Sequence, residues 1–249
     1  MLSSVGWAAL GVGFIFLMTS LGAASVLFCR KDTLPKSQTG MMGFAGGVMT
    51  AATVWSMLLP AIEQTRAEGI FPCWLPAAAG TAAGAAFLCA LDALILRLRR
   101  GGSAEKSSML MTAITLHNIP EGMAVGLAFA LSGGADGLTA AAALALGIGV
   151  QNIPEGAAVS LPLRRLGMSR GRAFSMGVLS GAVEPLFGML AVMAVSGISR
   201  IMPWLLGFSA GAMLYVVVCE LIPAADDRRG LFWYIAGFLL MMILDVALG

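Results

Sequence analysis

Eight apolar runs follow one another along the chain, each roughly 20 residues or more in length, with only short polar stretches between them. They cover residues 5–28, 40–62, 72–96, 108–132, 137–163, 173–196, 202–225 and 231–248. A helix of this length spans the hydrocarbon layer of a bilayer and satisfies its own backbone hydrogen bonds there. Of the 249 residues, 59% are hydrophobic and only 11% are charged. The pattern predicts an all-α polytopic membrane protein of eight transmembrane helices, forming one domain over residues 1–249.

The basic residues predict how this bundle is oriented. Thirteen of the fifteen Lys and Arg residues lie after runs one, three, five and seven, and only Arg66 and Arg200 lie on the opposite side. Short loops rich in Lys and Arg remain in the cytoplasm. We therefore expect both termini to face outward, with the lipid bilayer as the protein's surroundings. The net charge of +2 gives no indication of a nucleic acid partner.

Two pairs of similar segments predict an inverted repeat. Residues 43–49 (GFAGGVM) resemble residues 207–213 (GFSAGAM), and the loop charges make runs two and seven antiparallel. The hexapeptide HNIPEG at residues 117–122 also returns as QNIPEG at residues 151–156, in runs four and five. We expect helices 1–3 to be related to helices 6–8, with helices 4 and 5 paired centrally. Transporters with such repeats place the binding site near the membrane midplane.

The repeated hexapeptide carries polar side chains where they are costly. A charged side chain at the centre of a bilayer costs at least about 2.5 kcal/mol. On a helix, His117, Asn118 and Glu121 share one face, because they are spaced three and four residues apart. Gln151, Asn152 and Glu155 repeat this arrangement on the next helix. Each helix thus presents three convergent ligands.

A third intramembrane acid, Glu184, lies at a similar depth in run six. Three carboxylates packed together repel one another, whereas one or two divalent cations neutralise them. The sequence therefore predicts a two-metal site bridged by Glu121 and Glu155. Oxygen ligands with a single imidazole suit zinc, iron(II), manganese or cadmium without selecting among them. Met49 could add a thioether ligand or could fill the core, as expected for one of 17 methionines.

At these residues the chain resembles the bacterial branch of the ZIP (Zrt/Irt-like) family of divalent metal transporters. The resemblance rests on HNIPEG in run four, NIPEG in run five, Val-Glu-Pro in run six and the eight spans. It implies uptake of metal into the cytoplasm across the bacterial inner membrane, by a homodimer without a resident cofactor. It further implies that helices one, four, five and six move against a scaffold of helices two, three, seven and eight.

The resemblance also implies a division of the ligands between two metals. His117, Glu121, Gln151 and Glu155 resemble the ligands of the first metal, with Met49 beside them. The second metal's ligands would be Asn118, Glu121, Asn152, Glu155 and Glu184. Many family members have histidine at the position of Gln151, so the amide is expected to weaken zinc binding at the first site.

The residues also allow two other functions to be compared with transport into the cell. An intramembrane zinc hydrolase needs a firmly held catalytic ion, typically with several histidine ligands and an open position. The single histidine of this chain argues against such an enzyme. A metal exporter is the closer alternative, because the topology does not determine the direction of transport.

Overall fold

The computed structural model describes residues 3–28, 34–98 and 104–248, and the elements within these ranges are all helical. Its eight successive helices coincide with the eight predicted runs, which confirms the all-α membrane fold. The second and seventh helices begin six and seven residues before their runs, and the other ends lie within five residues of the predicted ones. The helices are α1 (Ser4–Phe28), α2 (Leu34–Ala52, Thr53–Leu58 and Leu59–Ala67), α3 (Leu75–Leu98), α4 (Ala104–Leu131), α5 (Gly134–Arg165), α6 (Arg170–Gly181 and Val183–Met193), α7 (Val195–Val216, Val217–Leu221 and Ile222–Ala224) and α8 (Arg228–Leu248).

Seven of the described helices are long and apolar enough to cross a membrane. The eighth, α4, contributes a shorter apolar stretch at Asn118–Leu131 within its described side chains. The side chains of α4 before Asn118, His117 among them, lie outside the described part except for Thr115.

Local sequence signals determine several helix ends. The Ser169 hydroxyl oxygen accepts a hydrogen bond from the Arg172 backbone N–H at 3.3 Å, which caps the start of α6. Gly167 precedes this cap with φ +96°, a conformation that glycine adopts without a Cβ clash. Arg164 and Arg165 occupy the last turn of α5, where cations interact favourably with the helix dipole.

The packing of the helices follows the predicted inverted repeat. Helix α2 packs mainly against α8, and α3 packs mainly against α7. Exchanging helices 1–3 with helices 6–8 turns the first pair into the second. When α4 and α5 are exchanged as well, the large contact between α1 and α5 becomes the contact between α6 and α4. Most contacts fall within two groups of helices, with α1, α4, α5 and α6 in one and α2, α3, α7 and α8 in the other.

A π-helical turn occurs at the same repeat position in α2 and in α7, at Thr53–Leu58 and Val217–Leu221. Before the turns, equivalent residues of the two helices are 164 positions apart, as Gly43 and Gly207 are. After them the spacing is 163, because Leu-Pro-Ala at residues 59–61 aligns with Ile-Pro-Ala at 222–224. The first turn has six residues and the second has five, so the π-helical turns absorb the one-residue difference.

Candidate metal-binding site

Six of the predicted ligands lie on three neighbouring helices and are buried. Helix α4 carries Asn118 and Glu121, α5 carries Gln151, Asn152 and Glu155, and α6 carries Glu184. Their side chains are between 0% and 1% exposed. The amphipathic spacing within each hexapeptide therefore turns its described polar side chains inward, as the sequence predicted. The side chain of the seventh predicted ligand, His117, lies outside the described residues.

Side-chain hydrogen bonds connect these helices. The Gln151 amide donates to Glu121 Oε1, which joins α5 to α4. The Asn118 amide donates to Glu184 Oε1 and to the Ser180 carbonyl oxygen, each at 3.1 Å, which joins α4 to α6. The Asn152 amide contacts the Ile15 carbonyl oxygen of α1 at 3.4 Å. The carboxylates of Glu155 and Glu184 lie close enough to Glu121 to repel a negative charge on its carboxylate.

A break in α6 positions Glu184. The first segment of the helix ends at Gly181, and the second begins at Val183 with Glu184 in its first turn. Pro185 has no N–H to donate to the Gly181 carbonyl, so the regular hydrogen-bond ladder cannot continue there. The break leaves the Glu184 carboxylate facing α1 and α4.

Five buried side-chain oxygens at this site have no hydrogen-bond partner among the described residues. They are Asn118 Oδ1, Glu121 Oε2, Gln151 Oε1, Asn152 Oδ1 and Glu184 Oε2. Buried polar atoms almost always have a partner, and a cluster of unpartnered acceptors needs an explanation. All five are oxygens with lone pairs, which hard and borderline cations accept as ligands.

The carboxylates of Glu121, Glu155 and Glu184 do not converge on one point in the structure. Within the described residues, no three His, Cys, Asp or Glu side chains stand at metal-binding distances from one another. The hydrogen bonds to Glu121 Oε1 and Glu184 Oε1 hold these carboxylates against amide and hydroxyl donors instead. Ligation by the predicted set therefore requires the amide oxygens of the site and a movement of its side chains.

Glycines in both hexapeptides bring the neighbouring helices close to the site. A Cβ on Gly122 would collide with the Glu184 carbonyl oxygen of α6. A Cβ on Gly156 would collide with the Thr19 carbonyl oxygen of α1. Equivalent glycines of the repeat thus bring α4 against α6 and α5 against α1.

Met49 is fully buried in an apolar cluster that includes Ala157 and Ala158 of α5. Its repeat equivalent, Met213, belongs to the same cluster. The Thr53 hydroxyl lies between them, 2.7 Å from the Met49 carbonyl oxygen and 3.0 Å from Met213 Sδ. This position fits a core role, and contact between Met49 and a metal stays a prediction.

Two residues of the site were missed by sequence reasoning. Thr19 of α1 donates a hydrogen bond to Glu184 Oε1 at 2.7 Å, and the Ser180 carbonyl accepts from Asn118. Both are fully buried. A threonine or serine in an apolar helix commonly bonds to the preceding turn, as Thr19 does to the Ile15 carbonyl at 3.2 Å. Nothing in the local sequence therefore distinguishes these two residues from ordinary core residues.

Comparison with known proteins supports the same function class. The sequence profile of the family described as ZIP Zinc transporter matches residues 97–245. Zinc transporter ZIP11 of Homo sapiens is 35% identical over 342 aligned positions, covering 99% of this chain and 98% of the relative. Zinc transporter GufA of Myxococcus xanthus is 38% identical, covering 93% and 94%. Zinc transporter ZIPB of Bordetella bronchiseptica is 37% identical, covering 98% and 82%. The profile match and the near full-length relatives show that this chain belongs to the ZIP family of zinc transporters.

Proposed function

We propose that the chain carries divalent metal cations, zinc foremost, into the cytoplasm through the polar site between α4, α5 and α6. The observation that carries this proposal is a set of five buried oxygens, two from carboxylates and three from amides, that have no hydrogen-bond partner among the described residues. Relatives named as zinc transporters support zinc as the substrate. Cadmium, iron and manganese are further candidate substrates, since the donor set suits them as well. The protein is then a transporter and not an enzyme.

The proposed site binds two metals. Glu121 and Glu155 bridge them, with His117 and Gln151 completing the first metal's ligands and Met49 beside it. Asn118, Asn152 and Glu184 complete the second. In the structure, the Gln151 amide donates to Glu121 and the Asn118 amide donates to Glu184 Oε1. Metal binding displaces Gln151 from Glu121, whereas Glu184 ligates through its other oxygen and keeps the bond from Asn118.

The wider proposal follows the two groups of helices. Helices α1, α4, α5 and α6 carry the site and move against α2, α3, α7 and α8, which gives alternating access. The protein acts as a homodimer in the bacterial inner membrane with both termini outside, as the loop charges and the family resemblance suggest.

Flux through the purified protein in liposomes tests this function. Zinc, cadmium, iron(II) and manganese are offered under metal gradients of both signs, and a trapped indicator reports their movement. We expect Glu121→Gln and Glu155→Gln to abolish flux, because each removes a bridging charge from both metals. Glu68→Gln makes the same chemical change at an exposed position and should transport normally.

Size-exclusion chromatography shows whether each variant remains folded. Flux close to that of the unchanged protein in both site variants would eliminate the bridged site. Flux that occurs only from the cytoplasmic face outward would reverse the proposed direction.

A further inference from the structure

Thr19 lies at the point where α1 meets the proposed metal site. Its side chain is fully buried, and its hydroxyl donates to Glu184 Oε1 at 2.7 Å. The Ile15 carbonyl is a more distant acceptor at 3.2 Å, so the single hydroxyl proton is better placed for the carboxylate. Asn118 donates to the same carboxylate oxygen at 3.1 Å.

The two carboxylate oxygens of Glu184 therefore differ in their hydrogen bonding. Oε1 accepts from Thr19 and from Asn118, whereas Oε2 is buried without a partner among the described residues. Two donors on one oxygen fix the rotation of the carboxylate and direct the other oxygen into the site. Hydrogen bonds of this kind orient metal-ligating carboxylates in other metal sites.

Thr19 and Glu184 occupy equivalent positions of the inverted repeat. The repeat exchanges Gly122 with Gly156, and these glycines pack against the backbones of Glu184 and Thr19. Thr19 thus occupies, in the first half of the repeat, the place that Glu184 occupies in the second half. A neutral hydroxyl at this place donates to the acid, whereas a further carboxylate there would repel it.

We propose that Thr19 is a positioning residue of the metal site, which holds the Glu184 carboxylate in its ligating orientation. The inference rests on the proposed function, because it takes Glu184 as a ligand. Loss of an outer hydrogen bond to a metal ligand typically weakens metal affinity by about 10- to 100-fold. Removing the Thr19 hydroxyl should weaken binding by a similar factor, although Thr19 does not itself touch the metal.

The experiment compares Thr19→Val, which keeps the shape and removes the hydroxyl, with Thr19→Ser, which keeps the hydroxyl. Full-length protein in detergent is titrated with zinc and with cadmium by calorimetry. The visible absorption of bound cobalt(II) reports the geometry of the ligands. We expect Thr19→Val to weaken binding by at least tenfold and to alter the cobalt spectrum. Thr19→Ser should resemble the unchanged protein in both measurements.

The remaining outcomes separate this inference from the proposed function. Unchanged affinity and spectrum in Thr19→Val would overturn the positioning role, and so would equal losses in Thr19→Ser, which would assign the effect to the missing methyl group. Glu184→Gln is measured in parallel. If it also binds metal normally, Glu184 is not a ligand and the proposed site itself fails. Thr19→Ala replaces Thr19→Val if the valine variant does not fold.

Discussion

The two oxygens of Glu121, and likewise those of Glu184, have different surroundings. Each carboxylate has one oxygen that accepts a hydrogen bond and one that is buried without a partner among the described residues. Amide and hydroxyl donors partly compensate these buried charges. A metal ion that binds Glu121 competes with the Gln151 amide, whereas Glu184 can ligate through Oε2 while Oε1 keeps its bonds from Thr19 and Asn118.

The first residue-scale prediction concerns Gln151. Its amide donates to Glu121 and offers only a weakly ligating oxygen to a metal. We expect Gln151→His to tighten zinc binding by roughly tenfold, or about 1.4 kcal/mol, because imidazole is a stronger zinc ligand. Turnover should fall, since an ion that binds more tightly leaves more slowly. Calorimetry and liposome flux measure the two effects, and an unchanged zinc dissociation constant would mean that residue 151 does not ligate.

The second prediction concerns external pH. Imidazole ligates only when neutral, and carboxylates bind metal only after losing their protons. Acidification therefore lowers apparent metal affinity, because protons compete with metal for the imidazole and the carboxylates. Zinc flux is measured at several external pH values with the internal pH held constant. His117→Ala should show a weaker pH dependence, because only the carboxylates then take up protons.

A flat affinity from neutral to mildly acidic pH would exclude competition between protons and metal at this site. The matched comparison between His117→Ala and the unchanged protein removes any general effect of pH on the membrane or the indicator.

At the residue scale, then, the repeated hexapeptide predicted which polar side chains turn inward. Helical spacing alone puts the polar residues of each hexapeptide on one face of its helix. The described ones are all buried, namely Asn118 and Glu121 on α4 and Gln151, Asn152 and Glu155 on α5. The contacts of Thr19 and Ser180 could not be predicted in this way. They depend on how α1 and α6 approach the site, and that approach is a property of tertiary packing.

At the scale of elements, the lengths of the apolar runs predicted where the helices lie. They did not predict the breaks and π-helical turns within those helices. The break in α6 has a local signal, because Pro185 follows Glu184 directly. The π-helical turns of α2 and α7 have none in either helix alone. They become recognisable only when the two halves are aligned and the spacing changes from 164 to 163.

The prediction at this scale concerns the close approach of helices around the site. We expect Gly156→Ala and Gly122→Ala each to cost about 1–3 kcal/mol of stability and to reduce transport severely, since the added methyl group collides with backbone of α1 or α6. Gly13→Ala is the matched control, because a Cβ at this helical glycine meets nothing within 4 Å. Thermal unfolding in detergent and liposome flux measure both effects. If all three variants behave alike, close packing at the hexapeptide glycines is not required.

At the scale of the whole molecule, the two groups of helices predict which cross-links stop transport. In the scaffold group, a Cβ on Gly46 of α2 would lie 3.4 Å from the Leu221 Cβ of α7, close to the separation in a disulfide. Between the groups, a Cβ on Gly147 of α5 would lie 3.4 Å from Asp245 Oδ1 of α8. Both pairs can therefore be replaced by two cysteines and joined by the same short, reducible bifunctional thiol reagent, after Cys29, Cys73, Cys89 and Cys219 have been changed to serine.

We expect the thiol reagent to arrest zinc flux in the Gly147→Cys/Asp245→Cys variant and a reducing agent to restore it, because this cross-link ties a moving helix to the scaffold. The reagent should leave flux nearly unchanged in Gly46→Cys/Leu221→Cys, where both helices belong to the same group. Each comparison is made within one variant, before and after reduction, so any effect of the substitutions themselves cancels. Full transport with the α5–α8 cross-link formed would show that the two groups do not move past each other there, and alternating access would then require motion within one group.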